Sequence, residues 1–468
     1  MRTYIALLLF GISSSGYAQA KDSGELLTMD KAVDIALQYN HSLRGAFQDL
    51  ESAKWGKLNA VTNFFPKVGV SSSVTQIDAE TEARANAAVV FIEAAASQFG
   101  IPPQYLANIK PFAYHNTYAT NVTVVQPIYN GGAELVGYKA ADVTEEKTEY
   151  SLEDTRQDVI ARVKIVYFTV LKAQELVALA KESAERTQRY LETTRRRAAL
   201  GSRTETDVLR WQVQLASDEG NIISAENFLA MAKLQLNDAM GIDPHTEFIF
   251  QTIAAPDSAA GKTSSSSLAA HALFQQEPVP DRITFDQLSV TPSFKMMDAN
   301  LRLASVNIDK SWINFQPRVN LAFQYGWEQN NTLALDGIRP WALSFSVSLP
   351  VFNSFGDYTS LEKAKADYEK TQEQIASFKS SMLLQATNAQ LTLHASEQRI
   401  ETARKGLQEA EDVLHAVTRR YETGGASNID VIDVQTAYTS AKTNYITALY
   451  DYYIADVQLA RALGRISQ

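Results

Sequence analysis

The 468-residue chain contains no cysteine. That excludes disulfides and thiolate metal sites, and it leaves no thiol to carry a lipid anchor behind an export signal. Proline is scarce, with 13 residues in all, and its placement matters more than its number. None stands between Pro127 and Pro244 and none follows Pro350, so two long stretches lack the strongest helix breaker. Past the first 20 residues no run approaches the roughly 18 apolar positions of a membrane-crossing helix, which excludes one. Basic residues are outnumbered: 43 Lys and Arg against 53 Asp and Glu leave a net charge of -10, with the two signs mixed throughout. Such a balance argues against nucleic acid as a partner. The six histidines (His41, His115, His245, His271, His394, His415) are scattered, without a metal-ligand cluster, and no nucleophile constellation stands out. The chain reads as a non-enzyme with no cofactor.

The first 20 residues have the build of a secretory signal peptide: Arg2, an apolar segment from Ile5 to Ile12, and an A-x-A site at Ala18-Gln19-Ala20. The expected mature chain starts near Lys21, exported and without a lipid anchor. An exported chain without a membrane helix can span a bilayer only as a closed barrel of strands, which means a bacterial outer membrane.

Seven-residue periodicity runs through the long proline-free stretches. From Met382, the sites Ala386, Ala389, Leu393, Ser396, Ile400, Ala403, Leu407, Ala410, Leu414, Val417 and Tyr421 follow at spacings of four and three. After a turn at Gly424-Gly425-Ala426-Ser427, Val434, Tyr438, Ala441, Tyr445, Ala448, Tyr452, Ala455, Leu459 and Ala462 keep the same spacing. A sustained repeat of this kind is a coiled-coil seam, and alanine at alternate sites lets helices approach closely. The stretch from Gly356 to that turn predicts a helix of about 67 residues, or roughly 100 Å at 1.5 Å per residue. The earlier proline-free stretch predicts the same pair, at 133–200 with a seam of Val159, Val163, Val166, Val170, Ala173, Val177, Ala180 and Ala184, and at 205–240.

These parallels belong to a duplication. Pro127-Ile128-Tyr129-Asn130 and Pro350-Val351-Phe352-Asn353 stand 223 residues apart, as do Gly201 and Gly424, Asp207-Val208-Leu209 and Asp430-Val431-Ile432, and Gly241 and Gly464. Upstream, Pro66 matches Pro317 at a separation of 251, so the first half carries 28 extra residues, near 79–110. The reading is a signal at 1–20, repeat 1 at 21–253, a Ser/Ala/Pro-rich linker at 254–283 and repeat 2 at 284–468. Each repeat reads helix, strand, loop, strand, long helix, return helix. In repeat 1 the first helix is expected over 29–64. The extra residues are expected to form a short amphipathic helix in an enlarged loop, where a strap over an opening, a receptor site and decoration stay open.

Strands are clearest in repeat 2. Val319, Leu321, Phe323, Tyr325 and Trp327 alternate with small or polar residues, as do Trp341, Leu343, Phe345, Val347 and Leu349. Each run approaches the ~9–11 residues of a tilted membrane strand. Four strands cannot close a lipid-facing barrel, whose smallest examples have about eight. Three copies giving twelve strands is the simplest closure.

The signal, the duplication and Leu27-x-Met29-x-x-Ala32-x-x-x-Ala36-x-x-x-Asn40-x-x-Leu43 together resemble the TolC-type outer-membrane efflux proteins. So do Pro-[IV]-[YF]-Asn before each long helix and Gly-x-x-[TS]-x-x-Asp-Val-[LI] at each helical turn. The resemblance covers nearly the whole mature chain. It implies a mostly α fold with β: a homotrimer whose twelve-stranded outer-membrane β-barrel, four strands per chain, continues into a long α-helical coiled-coil tunnel in the periplasm. The implied function is the passive exit duct of a tripartite efflux or type I secretion system. Its implied partners are a periplasmic adaptor (membrane fusion) protein, an inner-membrane pump of RND, ABC or MFS type, and outer-membrane lipid.

The same resemblance makes the turns the periplasmic tip, where the adaptor docks: Gly201, Ser202, Arg203 and Thr204, with Gly424, Gly425, Ala426 and Ser427. Asp430 and Asp433 match family aspartates that ring the closed entrance. Tyr421 and Asp207 match a tyrosine and an aspartate that hydrogen-bond in the closed state. The family's best-known member also has a latching arginine at the position of Ala426, which is lost here. Read from the residues alone, Thr204-x-x-Asp207 and Ser427-x-x-Asp430 are capping boxes, which account for both acids without a gate. Asp433 lies past the cap, and its counterpart in repeat 1 is Arg210. Arg195-Arg196-Arg197 suits a helix C-terminus, with an adaptor contact as the other reading. The functional alternative is a periplasmic coiled-coil scaffold or adaptor without a pore.

Overall fold

The computed structural model describes residues 26–106, 109, 111–250, 282–329 and 339–466. The expected signal at 1–20 lies outside the described residues, as does the linker at 254–283 apart from Arg282 and Ile283. In chain order the elements of the first half are β1 (Leu26–Leu27), α1 (Met29–Tyr39), α2 (His41–Thr62), β2 (Lys67–Gln76), α3 (Ala79–Gln98), α4 (Pro103–Leu106), β3 (Asn116–Asn130), α5 (Ala133–Ala199), α6 (Glu205–Met240) and β4 (Ile249–Phe250). After Arg282 come α7 (Phe285–Leu288), α8 (Pro292–Trp312), a 3-10 turn (Ile313–Phe315), β5 (Arg318–Gln329), β6 (Trp341–Ser348), α9 (Gly356–Glu422) and α10 (Asn428–Ala462). The helices α5 and α9 are each 67 residues long.

Two compact units emerge, each drawn from both halves of the chain: 1–48, 150–295 and 377–468 in one, 49–149 and 296–376 in the other. The first is helical. Its core joins Ala32, Val33 and Ala36 of α1 to Val163, Phe168, Val170 and Leu171 of α5, Leu236 and Met240 of α6, and Tyr450, Tyr453 and Leu459 of α10. Phe168 stacks on Tyr453 at 5.2 Å, and the Tyr167 hydroxyl donates to the Leu27 carbonyl at 3.0 Å. Every expected seam site of α9 from Met382 to Tyr421 is buried or half-buried, with mostly exposed residues between. The four-and-three spacing therefore does set which stripe of this helix faces inward.

The expected single helix at 29–64 is corrected: it breaks at Asn40, whose backbone is extended at ψ 125°. The Asn40 side chain explains the break. Its Oδ1 accepts from the backbone N–H groups of Ser42 and Leu43, capping α2, while its Nδ2 donates to the Ala239 carbonyl at 2.8 Å. Gly241 makes that approach possible. A Cβ there would lie 2.6 Å from Asn40 Cα, and its φ of +75° suits glycine.

The second unit holds a four-stranded antiparallel sheet in the order β2-β3-β5-β6. Register aligns the apolar side chains in rows across all four strands: Val70, Val122, Tyr325 and Trp341 in one, Val68, Val124, Phe323 and Leu343 in the next. The opposite face is small and polar. There Gln324 Nε2 donates to Asn121 Oδ1 at 3.0 Å, with Gly326 beneath, where a Cβ would meet that oxygen at 2.5 Å. The rows are exposed at their outer ends, with Val70 at 72% and Trp341 at 68%, and half-buried at Val122, Val124 and Tyr325, and neither β2 nor β6 has a partner on its outer edge among the described residues. No helix among the described residues is long and apolar enough to cross a membrane.

Between β2 and β3 the extra residues form α3, 20 residues long. Asp78 caps it, and Asn86 pins it by accepting from the Phe112 and Ala113 N–H groups and donating to the Ala113 carbonyl. It is not cleanly two-sided as expected. Val89 and Ala96 are buried, but Val90, Phe91 and Ile92 are exposed.

Candidate functional site at the paired helical turns

Two helical turns are built alike. Gly201 with φ +75° follows α5 and Gly424 with φ +83° follows α9, each continuing a helix end that a side chain with a Cβ would strain. Thr204 then caps α6 and Ser427 caps α10, and each closes a full capping box with the aspartate three residues on. Asp207 Oδ2 accepts from the Thr204 N–H at 3.1 Å and hydroxyl at 2.9 Å. Asp430 Oδ2 accepts from the Ser427 N–H and hydroxyl, both at 2.8 Å. The Ser427 N–H bond, then its hydroxyl, holds the Asp430 carboxyl below the usual carboxylate range. Burial works to raise Asp207, but the Thr204 bonds, Arg203 and Arg210 outweigh it, and its carboxyl also lies low.

Between the turns lies a second core, separate from the main one: Leu191, Trp211, Tyr421, Ala426 and Val431, with Tyr190, Val208, Leu215, Val417 and Ile432 against it. Tyr421 is its centre, 1% exposed. Tyr190 meets the Tyr421 ring edge-on at 5.9 Å and stacks on Trp211 at 5.0 Å. The Arg203 and Arg197 guanidinium carbons lie 5.0 Å and 5.6 Å from the centre of the same ring. The Tyr421 hydroxyl donates to Asn428 Oδ1 at 2.7 Å and pairs with the Thr194 hydroxyl at 3.0 Å. Asn428 Nδ2 in turn donates to the Asp207 backbone carbonyl at 3.4 Å. One hydrogen-bonded chain thus runs through α5, α9, α10 and α6. Arg197 adds donations to the Tyr421 and Glu422 carbonyls at the end of α9, both at 3.4 Å.

The sequence-predicted residues divide on this geometry. Asp207 and Asp430 serve as caps, and the Asp207 carboxylate stays with Thr204 while the Tyr421 hydroxyl goes to Asn428 and Thr194. Asp433 is exposed and has no ion pair or hydrogen bond among the described residues. Gly201, Ser202, Thr204, Gly424, Gly425 and Ser427 are exposed, Arg203 is half-buried, and Ala426 is 9% exposed, inside the core. Of the arginine run, Arg195 and Arg196 are exposed, whereas Arg197 turns inward over Tyr421. Sequence reasoning missed Asn428 and Thr194, at 1% and 0% exposed. The signal was there in part: Thr194 stands three residues after Leu191 and seven before Gly201, on the inward stripe.

No group of His, Asp and Glu that could hold a metal occurs among the described residues. What the arrangement can do is mechanical: polar bonds on an aromatic core hold two hairpins at their turns.

The model of the outer membrane efflux protein family matches residues 32–242 and 286–465. Over 347 residues the chain is 27% identical to the cobalt-zinc-cadmium resistance protein CzcC of Cupriavidus metallidurans, covering 72% of this chain and 75% of that protein. It is 22% identical over 476 residues to the outer membrane protein TolC of Escherichia coli, covering 98% of this chain and 86% of that protein. Among solved structures, the CmeC outer membrane channel of Campylobacter jejuni shares the fold with a TM-score of 0.75 at 18% identity, over 93% of this chain and 85% of that one.

Proposed function

The chain belongs to the outer membrane efflux protein family, and we propose that it acts as a homotrimeric exit duct opened at its helical turns. The family places it in the outer membrane as an efflux channel. The carrying observation is the sheet, with four strands, two outer edges unpaired among the described residues, and exposed apolar side chains on β2, β5 and β6. An edge left unpaired in hydrocarbon costs several kcal/mol per backbone group, so such a sheet is viable in a bilayer only when copies close the ring. Three copies give twelve strands, and the apolar rows then face lipid. The helices of the three copies form a tunnel into the periplasm. Exposed Leu209, Val213 and Ile223 of α6 and Leu384 and Leu391 of α9 support packing between copies.

The turns form the tip at which an adaptor docks and from which an inner-membrane pump feeds cargo. Opening is an iris-like parting of the hairpins around Gly201 and Gly424, with no bond made or broken. Asp430 and Asp433 from three copies place about six carboxylates around one axis, a ring that favours cations. Since Asp430 also caps α10, Asp433 is the cleaner probe. Asp433→Ala is expected to weaken cation preference in planar bilayers, and Asp430→Ala with Asp433→Ala to raise conductance as well. Unchanged selectivity and conductance in both would remove the ring from the account.

A further inference from the structure

The geometry points to Arg203, in the turn of the first hairpin, as the residue that fastens the two hairpins of one chain together at the tip. Arg203 stands two residues after Gly201, and Ala426 stands two after Gly424, so the duplication makes them counterparts. At this pair only the first turn carries a guanidinium. It reaches across to the second: Nη2 donates to the Ala426 carbonyl at 3.5 Å, and the guanidinium carbon lies 5.0 Å from the centre of the Tyr421 ring. Ala426 is small and buried in the same core, so its own position has no room for a second long side chain while Arg203 fills the space. Of the two counterpart positions, the first turn holds the arginine.

Arg203 acts with the hydrogen-bonded chain already described. Thr194, Tyr421, Asn428 and the Asp207 carbonyl tie the helices beneath it, and Arg197 holds the last carbonyls of α9. A cation on an aromatic face is a modest attraction at an exposed site and a stronger one when desolvated. Arg203 is half-buried between these limits. Bonds of this strength are enough to favour one arrangement and weak enough for a docking partner to overcome. The assignment rests on the reading of the tip as a gate only for its consequence, not for the contacts.

The absence of cysteine allows a direct test, since two introduced thiols are the only ones in the chain. Leu200→Cys and Thr423→Cys place one spin label on each turn. The distance between them is measured by pulsed electron spin resonance in particles diluted with unlabelled chain, so that one labelled copy is read at a time. With Arg203 in place one narrow distribution is expected. Arg203→Ala should broaden it and move it to longer distance, and Arg203→Ala with Ala426→Arg should restore the narrow form. Arg203→Gln keeps the stem over Ala426 without the cation and is read the same way should the alanine variant not fold. An unchanged distribution in Arg203→Ala or Arg203→Gln would overturn the assignment, as would a double variant as broad as the single. The distance needs no pore. Conductance of the same variants is expected to rise severalfold, and widened tips with wild-type conductance would sink the gate while sparing the fastening.

Discussion

Asp207 and Asp430 close helix ends before any other role, and that fixes how the two turns answer acid. Both carboxyls lie below their ordinary range in the folded chain, chiefly through Thr204 against burial for Asp207 and through Ser427 for Asp430. A depressed folded pKa gives stability that is complete above the unfolded value, about 3.9 for aspartate, and is lost as pH falls through the lower folded value. The first turns of α6 and α10 are therefore expected to stay closed at pH 5 and above and to fray below about pH 4. Amide exchange at residues 204–210 and 427–433, corrected for intrinsic rate, checks this, and equal protection on both sides of that window would contradict it. Asp218 shows a limit of residue-scale reading. It occupies the seam position between Leu215 and Ile222 that an apolar pattern passes over, yet it is 4% exposed. It accepts from Thr187 at 2.6 Å and Gln214 at 3.1 Å, and Gln435 donates to Thr187 at 2.8 Å. Periodicity locates such a site but does not say that hydroxyls and amides on three helices will satisfy a carboxylate there.

At the scale of elements, the long helices were legible because proline is missing and the seam repeats, and α5, α6 and α9 begin and end within a residue of expectation. The break at Asn40 was not, because helical periodicity continues across it; the cause is a contact with Ala239, 199 residues away. Strand pairing was hidden for the same reason. Alternation gives each strand two faces, but only the ladder joins β3 to β5 and so unites the two hairpins. The duplication itself exposes one strained turn. Gly131 and Gly132 lead into α5 with φ of +65° and +84°, and their counterparts before α9 are Ser354 and Phe355, at +46° and +62°. A side chain in that region costs roughly 1–2 kcal/mol, part of which glycine loses again through its freer unfolded chain. Ser354→Gly is expected to stabilise the fold by up to about 1 kcal/mol, read as a higher midpoint of thermal unfolding. A lower midpoint would show that the Ser354 side chain contributes more than its backbone costs.

At the scale of the whole molecule, the candidate site was legible in its position and not in its wiring. The motif Gly-x-x-[TS]-x-x-Asp-Val-[LI] located both turns and both caps. It could not show that the Tyr421 hydroxyl would turn to Asn428, or that Arg203 would reach across to the Ala426 carbonyl. The sheet raises the larger question, because among the described residues its β2 and β6 edges are unpaired and Val70, Phe323, Trp341 and Phe345 are exposed. In the proposed ring, closure by identical copies would satisfy both edges at once, each β2 meeting the β6 of a neighbour. The most direct test is the native mass of the particle extracted from outer membranes in mild detergent. Three chains per particle is the predicted result, and a single chain or a pair would contradict the closed ring and the duct built on it.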